Sequence, residues 1–323
     1  MDLTQEIKKL VIDEGFHKVG IAPVKHLRES LFLIKWLNSG RHGKMSWLER
    51  NKEFRINVKK YFPDAKSVIS VAHNYFTDIK YGGNKHSINI SRYAMGGDYH
   101  KIIKSKLKNI LINIKKLDSG LNGRICVDSS PVQEKLWAVE AGIGWQGKHS
   151  IIITEEYGSW IFLGELIVNR TLDYDHPVKD LCGNCTKCMD ACPTNAIVTP
   201  YSIDSVRCIS YHTIETRSNK IPEEVVKKMN GWVYGCDICQ QVCPWNIKYQ
   251  HSTGEKFYIT KTDLSDLKVS RLGEITENEF NDLFKDSPIY RTGYKTFMRN
   301  VHAVLNYNST NIAGTRKNKL YKK

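Results

Sequence analysis

The sequence predicts a mixed α/β domain, followed by a cysteine-rich domain and a short helical segment. Strand-like and helical patterns alternate over the first 175 residues, and eight of the nine cysteines fall between Cys182 and Cys243. Alternation of this kind is typical of a layered α/β domain, and clustered cysteines in a reducing compartment indicate metal rather than disulfides. We therefore expect domains at residues 1–175, 176–250 and 251–323, the last ending in a basic tail.

Each predicted element follows from the spacing of its apolar residues. Helical spacing predicts helices over residues 3–16, 26–38, 131–141, 276–285 and 295–306. Apolar runs predict strands at residues 19–21, 66–72, 124–128, 150–154 and 160–169. A further helix begins near Asp98, and one face of it carries Ile103, Leu107, Ile110, Ile114 and Leu117.

The composition is that of a globular protein with a surplus of positive charge. Of 323 residues, 41% are hydrophobic and 25% are charged, which excludes a disordered or collagen-like chain. No apolar run approaches the ~18 residues of a membrane span, and the acidic start has no apolar secretory region. We therefore expect a cytoplasmic protein without membrane contact. The net charge of +14 attracts polyanions such as nucleic acid, although a Lys-rich proteome explains it equally well.

The cysteine spacing is that of two iron–sulfur motifs. The first is Cys182-x2-Cys185-x2-Cys188-x3-Cys192-Pro193, in which three close thiols hold one cluster and the fourth ligates the other. The second is Cys236-x2-Cys239-x3-Cys243-Pro244. It lacks one close cysteine, and Cys208 is the spare that replaces it. The spacing thus predicts a ferredoxin-like domain with two [4Fe-4S] clusters.

Two ligand sets use all eight clustered thiols. One cluster takes Cys182, Cys185, Cys188 and Cys243, and the other takes Cys192, Cys208, Cys236 and Cys239. A pair of zinc sites is the competing interpretation, but zinc ribbons use two CxxC pairs separated by a long spacer. Cys126, the ninth cysteine, lies in an apolar strand and is interpreted as a buried thiol. Two clusters transfer electrons, so the preceding region must hold the reaction or another cofactor.

Two further motifs resemble ligand sites but stand in the wrong context. Residues 142–147 spell GxGxxG, but this run follows a helix and precedes a strand, whereas dinucleotide binding needs a strand and then a helix. Asp98 and His100 half-match the DxHxxG segment that supplies a histidine to cobalamin, but Ile103 replaces the glycine. We interpret His100 as a solvated or capping residue at a helix start.

Blocks along most of the chain resemble the epoxyqueuosine reductase family. The matching segments are Ser67–Ala72, Arg92–Ala94, Gly97–Lys101, Val127–Pro131, Ala141–Trp145, Gly147–Lys148, Gly158–Glu165, Cys208–Tyr211 and Gly235–Asn246. The cysteine blocks alone would fit many ferredoxin-like proteins. The blocks around Asp128 and Trp160, in this order before the cysteines, make the resemblance specific.

The resemblance implies an enzyme that reduces epoxyqueuosine to queuosine at the wobble position of tRNA, the last step of queuosine biosynthesis. It implies a cobalamin in the α/β domain that is reduced through two [4Fe-4S] clusters, with Asp128 as proton donor. By the same alignment the residues against the cobalamin are Arg55, Asp128, Ile152, Leu163, Ser210, Gln241 and Val242. The implied partners are the tRNA anticodon loop bearing epoxyqueuosine and a low-potential electron donor, and we expect a monomer.

Residue patterns alone leave two roles open for Asp128. It ends an apolar strand before a Ser-Ser-Pro turn, where α/β sheets commonly present ligand groups. It would also serve as the N-cap of the helix at 131–141. As a proton donor it should hold a proton near neutral pH, which burial beside an apolar corrin face would favour.

Two other functions compete with this one. A cobalamin-dependent reductive dehalogenase would act on a small molecule, but it leaves the basic surplus unexplained and usually carries an export signal. A plain ferredoxin-like electron carrier needs no long α/β domain. The surplus itself includes a stretch without acids that holds Lys101, Lys104, Lys106, Lys108, Lys115 and Lys116. These lysines form either phosphate contacts or a solvated helix face.

Overall fold

The computed structural model describes residues 2–81, 88–259 and 269–320. The helices are α1 (Leu3–Asp13), α2 (Leu31–Asn38), α3 (Trp47–Arg50), α4 (Lys52–Ile56), α5 (Val58–Tyr61), α6 (Tyr99–Leu117), α7 (Glu134–Glu140), α8 (Lys187–Asp190), α9 (Glu223–Val226), α10 (Ile238–Gln241), α11 (Pro244–Tyr249), α12 (Val269–Leu272), α13 (Glu277–Phe284) and α14 (Tyr294–Leu320). The strands are β1 (Lys18–Pro23), β2 (Ser67–Asn74), β3 (Asn89–Ile90), β4 (Gly123–Cys126), β5 (Trp145–Gln146), β6 (Ile152–Ile153), β7 (Ile161–Val168), β8 (Ile197–Thr199), β9 (Ser202–Ile203) and β10 (Trp232–Tyr234).

The largest sheet has the strand order β1–β2–β7–β4, and each neighbouring pair runs antiparallel. The mixed α/β content predicted from the sequence is confirmed. Strand β2 is buried over its whole length, because helices cover both faces of the sheet. In the register of this sheet, Glu165 on β7 lies opposite both Ser70 and Cys126.

One face of the sheet packs against α1 and α6, and the other against α7. The apolar face predicted for α6 is confirmed at Ile103, Leu107, Ile110 and Ile114, which are at most 1% exposed. Leu117, at the end of the helix, is 54% exposed and does not belong to the core. On the other face, the α7 side chains pack into a core with apolar residues of β2 and β7.

A second core joins two distant parts of the chain. Strand β3 pairs in parallel with β10, so that residues 88–95 pack with the helices α13 and α14. Phe280 and Phe297 lie at the centre of this core and are 1% and 0% exposed. The C-terminal region is helical, as predicted, and residues 321–323 of the predicted basic tail lie outside the described residues.

Several predicted elements are shorter in the structure. The helix predicted at 131–141 begins only at Glu134, and the strand predicted at 150–154 is reduced to two residues in β6. The helix predicted at 26–38 is a 3-10 turn at Arg28–Ser30 followed by α2. Among the described helices, none combines the length and the apolar character that crossing a membrane requires.

Candidate active site

The candidate site begins at the turn between β4 and α7. Asp128 follows the strand with a φ of +51°, a left-handed conformation that aspartate and asparagine adopt more readily than most residues. Its backbone N–H donates to the side chain of Glu134. The helix start is flanked by Gln133, which makes no capping hydrogen bond. Asp128 is therefore not the helix cap, and its half-exposed carboxylate is left to face other partners.

The partner of Asp128 is His100, at the start of α6. His100 Nε2 lies 2.9 Å from Asp128 Oδ2, and its Nδ1 lies 2.5 Å from Asp98 Oδ1. The interpretation of His100 as a solvated or capping residue is wrong, because its ring is buried and lies between two carboxylates. Asp98 is the cap of this helix, since its side chain accepts from the His100 backbone N–H at 3.1 Å.

The charges around Asp128 keep its carboxylate ionised. Burial raises the pKa of Asp128, but the hydrogen bond and charge of His100, together with Arg291, outweigh it, so the pKa lies below its ordinary value. Burial lowers the pKa of His100, but both aspartates raise it further, so the net shift is upward. Within this pair the imidazole of His100 is therefore the better holder of a proton, one hydrogen bond away from Asp128. A protonated Asp128 beside a corrin face stays a prediction.

Arg291 supplies a second positive charge at the same place. Its Nη1 lies 2.6 Å from His100 Nε2 and 3.9 Å from Asp128 Oδ2. A guanidinium can only donate hydrogen bonds. While His100 is protonated, Arg291 attracts the Asp128 carboxylate by its charge, and once His100 is neutral its Nε2 can accept from Arg291.

Two further carboxyl groups lie behind the turn. Burial and the Asp128 charge raise the pKa of Glu134 to about 7. Glu165 is 0% exposed, and burial together with Glu134 raises its pKa well above the ordinary value. Within the described ranges, neither carboxylate oxygen of Glu165 has a hydrogen-bond partner. These groups make the turn an environment in which acids share protons rather than each carrying a full charge.

Arg55 lies beside the Asp128 turn. Its Nη1 donates to the carbonyl of Val132 at 3.2 Å, its own carbonyl accepts from Gln133 Nε2 at 3.0 Å, and its guanidinium lies over the Trp47 ring. The Nε atom is buried and has no partner among the described residues. Arg55 therefore stabilises the turn through Val132 and Gln133, and its Nε–H remains available as a hydrogen-bond donor.

The other residues predicted to contact cobalamin lie on three different parts of the fold. Ile152 on β6 is 1% exposed and packs in one apolar cluster with Leu163 of β7. Ser210 precedes a π-helical turn at Tyr211–Glu215, and Gln241 and Val242 stand at the end of α10. Leu163, Ser210, Gln241 and Val242 are all half-buried, so each presents some surface to a ligand.

Four cysteines line a cavity of about 230 Å³. They are Cys182, Cys185, Cys188 and Cys243, and the remaining wall is formed by Lys148, His149, Ile153, Leu181, Pro244 and Trp245. In the part of the chain that the structure describes, no three His, Cys, Asp or Glu side chains are grouped around a single metal-ion position. The thiols surround a volume rather than a point. A cluster fits this arrangement better than a zinc ion, whose sulfur ligands all lie about 2.3 Å from one centre.

The remaining clustered thiols lie close to one another and beside the first set. Burial, followed by the charge of neighbouring thiols, raises the pKa of Cys236 and Cys239. The neighbours are Cys208 for both, and Cys192 and Cys188 for Cys239. Cys188 belongs to the cavity described above, so the two sets of thiols adjoin, as electron transfer between two clusters requires.

A buried polar joint holds the cysteine loops against the sheet. Asn246 of α11 accepts from the Ser159 N–H at 2.5 Å and donates to Ser159 Oγ at 2.8 Å. Gln240 of α10 donates to the Ser159 carbonyl at 3.1 Å. A Cβ on Gly158 would lie 2.2 Å from Asn246 Oδ1, so only glycine permits the contact. The residue patterns do not reveal these roles, although Ser159, Gln240 and Asn246 all lie in blocks of the resemblance.

A second joint links the cysteine loop to the segment around β3. Asp237 is 1% exposed and accepts hydrogen bonds from the Ser91 hydroxyl, the Tyr81 hydroxyl and the Arg92 N–H. Burial raises its pKa. The Arg92 guanidinium lies 4.5 Å from the centre of the Trp160 ring. The loop between Cys236 and Cys239 is thus anchored to the segment that precedes α6 and His100.

Two sequence families match the chain. The 4Fe-4S double cluster binding domain matches residues 181–246. The family described as epoxyqueuosine reductase QueG matches residues 55–129, a range that contains both Asp98 and Asp128. The predicted double-cluster domain is confirmed by the first of these matches.

Similar proteins cover nearly the whole chain. An epoxyqueuosine reductase from Cyclobacterium marinum is 43% identical over 305 residues, which are 94% of this chain and 97% of that protein. A solved epoxyqueuosine reductase with an epoxyqueuosine-modified tRNA-Tyr stem loop is 30% identical with a TM-score of 0.85, over 94% of this chain and 80% of the other. The Bacillus subtilis enzyme, with its catalytic aspartate loop swung out of the active site, is 28% identical with a TM-score of 0.85, over 94% and 81%.

The double iron–sulfur domain and the relatives that cover nearly the whole chain identify this protein as an iron–sulfur oxidoreductase. The chain belongs to the epoxyqueuosine reductase family.

The joint at Ser159 predicts a specific loss of stability. Replacing Asn246 by alanine leaves the buried Ser159 N–H without a partner and removes one of the donors to the Gln240 carbonyl, and we expect a cost of about 1–3 kcal/mol. The midpoint of anaerobic thermal unfolding should fall accordingly. Lys248→Ala on the exposed side of the same helix is the control and should stay near wild type. Equal midpoints for the two variants would show that the joint does not stabilise the fold.

Proposed function

We propose that this protein reduces epoxyqueuosine to queuosine at the wobble position of tRNA, with Asp128 as the group that delivers a proton to the departing epoxide oxygen. The observation that carries the proposal is the hydrogen-bonded row of Asp98, His100 and Asp128, on a chain that also holds a double-cluster domain. The B. subtilis relative has its catalytic loop named for an aspartate, which supports the choice of residue.

The residues that would hold the clusters are the two sets described above. Cys182, Cys185, Cys188 and Cys243 would ligate the first cluster, and Cys192, Cys208, Cys236 and Cys239 the second. The cavity between the first four thiols supports the first assignment. The mutual proximity of the other four supports the second.

Cobalamin is the cofactor that fits the remaining surface. The side chains proposed to hold it are those of Arg55, Asp128, Ile152, Leu163, Ser210, Gln241 and Val242. This set combines apolar surface with hydrogen-bonding groups, including the unpartnered Arg55 Nε, and suits a large ring with a polar rim. When bound, cobalamin supplies a reduced cobalt centre, and the clusters replenish its electrons one at a time.

The chain's own contribution is the proton. Loss of the epoxide oxygen as water consumes two electrons and two protons. His100 Nε2 holds one of these protons against Asp128 Oδ2, and the half-exposed carboxylate passes it outward to the oxygen. The second proton comes from solvent water, which reaches the exposed side of the same carboxylate. His100 is then neutral, and its Nε2 accepts a hydrogen bond from Arg291. Deprotonation of His100 therefore costs less free energy, because its Nε2 keeps a hydrogen-bond partner in Arg291 after the proton has left.

The basic surplus is proposed to bind tRNA. Lys104, Lys108 and Lys115 are exposed on α6, the helix that starts beside His100. Lys106 is excluded from this role, since its Nζ donates to the Glu14 carbonyl at 2.8 Å. We further propose that the protein works as a monomer in the cytoplasm, where tRNA is available, and takes electrons from a low-potential donor protein.

Asp128→Asn tests the proton donor. Asparagine tolerates the left-handed turn, so both clusters and the corrinoid should remain bound. Single-turnover formation of queuosine should fall by a factor of about 10²–10⁴, the usual contribution of a general acid. Nucleoside analysis of the tRNA product measures this. The exposed Asp64→Asn is the matched control. A wild-type rate in the Asp128 variant would remove Asp128 from the mechanism.

The His100–Asp128 pair predicts a pH dependence. The pKa of His100 is raised above its ordinary value of 6.5 by the two aspartates, against the effect of burial. The pair therefore holds its proton below this raised pKa and loses it as the pH rises through it. Single-turnover rates should fall on the alkaline side. In His100→Gln that alkaline limb should disappear and the overall rate should drop. An unchanged profile in the variant would contradict the relay.

Phosphate contacts predict salt sensitivity. Each neutralised phosphate adds roughly −0.7 to −0.9 to the slope of log K against log salt concentration. Replacing Lys104 and Lys108 together by glutamine should weaken tRNA binding and make that slope about 1–2 less negative, as measured by filter binding. Replacing Lys106, which is held inside the fold, is unsuitable as a control, so the exposed pair Lys59 and Lys60 serves instead. A slope that is equal in wild type and variant would show that the α6 lysines do not touch phosphate.

A further inference from the structure

The segment between Trp145 and Ser150 lies along the cavity of the first thiol set. Lys148 and His149 belong to the wall of that cavity. Trp145 packs in one apolar cluster with Cys182 and Cys243. The segment includes the end of the GxGxxG run, to which the sequence pattern assigns no function.

Two buried N–H groups of this segment make no hydrogen bond of ordinary geometry among the described residues. They are Trp145 Nε1 and His149 Nε2, on side chains that are 2% and 1% exposed. His149 Nδ1 accepts from the Ile151 N–H at 3.2 Å, so the hydrogen of the neutral ring resides on Nε2. A buried donor without an acceptor costs about 1–3 kcal/mol. The Trp145 indole lies near the Cys182 thiol, whereas His149 Nε2 is left without an acceptor.

Lys148 adds a positive charge to the same wall. Its Nζ donates to the carbonyl of Gly183 at 2.6 Å and to the carbonyl of Cys185 at 2.9 Å. The ammonium group thus holds the loop between Cys182 and Cys185 in place by hydrogen bonds. These partners are Cys185 itself and the residue that follows Cys182, and among the described residues Lys148 forms no ion pair with a carboxylate.

Backbone contacts hold the segment in this position. A Cβ on Gly147 would lie 2.9 Å from His149 Cε1, so glycine lets the ring pack against the turn. Ser150 Oγ donates to the Tyr201 carbonyl at 2.8 Å, and the Tyr201 N–H donates to the Lys148 carbonyl at 3.0 Å. The donors are thereby fixed to the cysteine-rich region as well as to the sheet.

We propose that Trp145, Lys148 and His149 form a donor set that raises the reduction potential of the cluster held by Cys182, Cys185, Cys188 and Cys243. A reduced cluster carries more negative charge on its sulfurs, and hydrogen bonds and nearby cations stabilise that charge. The set thereby adjusts the potential difference between the two clusters, and so the ease with which electrons pass between them. This inference rests on the ligand assignment in the proposed function.

The test is an EPR-monitored redox titration of the anaerobically purified holoprotein. The variants are His149→Phe, Trp145→Phe and Lys148→Met, each of which removes a donor and keeps the bulk. For His149→Phe we expect the ratio of reduced to oxidised first cluster at a fixed potential to fall about tenfold, the scale of one hydrogen bond to a charged group. This corresponds to a shift of about 59 mV for a one-electron couple. The other cluster should keep its potential.

Two controls separate the donor effect from general damage. His149→Gln keeps an N–H group and should return the potential towards wild type. Lys187→Met removes a charge from an exposed position in the same cysteine loop and should shift the potential less than Lys148→Met. Iron and sulfide content report whether each variant retains both clusters. If one of the three test variants loses iron, the remaining two variants provide the test.

The outcomes distinguish this inference from the proposed function. If the variants hold about eight irons and neither potential moves, or both move equally, the donor set is wrong while the ligand assignment stands. If the wild-type protein assembles no pair of four-iron clusters, the ligand assignment fails and the inference fails with it. A shift confined to one cluster and reversed by glutamine establishes the donor set.

Discussion

The hydrogen bonds between Ser159 and the side chains of Gln240 and Asn246 are the contact on which the rest of the arrangement depends. They join the end of the main sheet to the loop that carries Cys239 and Cys243. Because all of these groups are buried, a shift of the loop would leave several of them without partners, each at a cost of 1–3 kcal/mol. The distance between the cysteine loops and the sheet is therefore set by polar geometry, which is more directional than apolar packing.

The Asp128 turn differs from this joint, because several acidic side chains lie close together there. Asp98, Asp128, Glu134 and Glu165 lie in succession, with His100 and Arg291 as the cations. Such a group cannot be fully ionised in a partly buried site, so protons are shared among its members. Their sharing suits a reaction that must deliver protons while electrons arrive one at a time. The main cost in folding free energy comes from Glu165. The helices that cover the sheet keep its carboxyl group from water, and it has no hydrogen-bond partner among the described residues.

The positive surplus divides between internal and external roles. Lys106 and Lys148 donate to backbone carbonyls and hold segments of the fold together, whereas other lysines of α6 face outward. The net charge therefore overstates the number of lysines that are free to contact a polyanion. Since the internal lysines stand beside the thiol cavity and the sheet, the same residue type serves both electron transfer and attraction of tRNA in this proposal.

The sequence by itself determined the features that depend on near neighbours in the chain: the cysteine motifs and their double-cluster domain, the α6 helix with its apolar face, and the strand that leads to Asp128. The assignment of individual thiols stays a prediction. Only the tertiary structure decided the partners of Asp128. His100 is 28 residues away from it in the sequence, and Arg291 comes from the C-terminal region, which the second core brings next to His100. The charges that shift the pKa of Asp128 were hidden from the sequence for the same reason, since only folding brings them into contact.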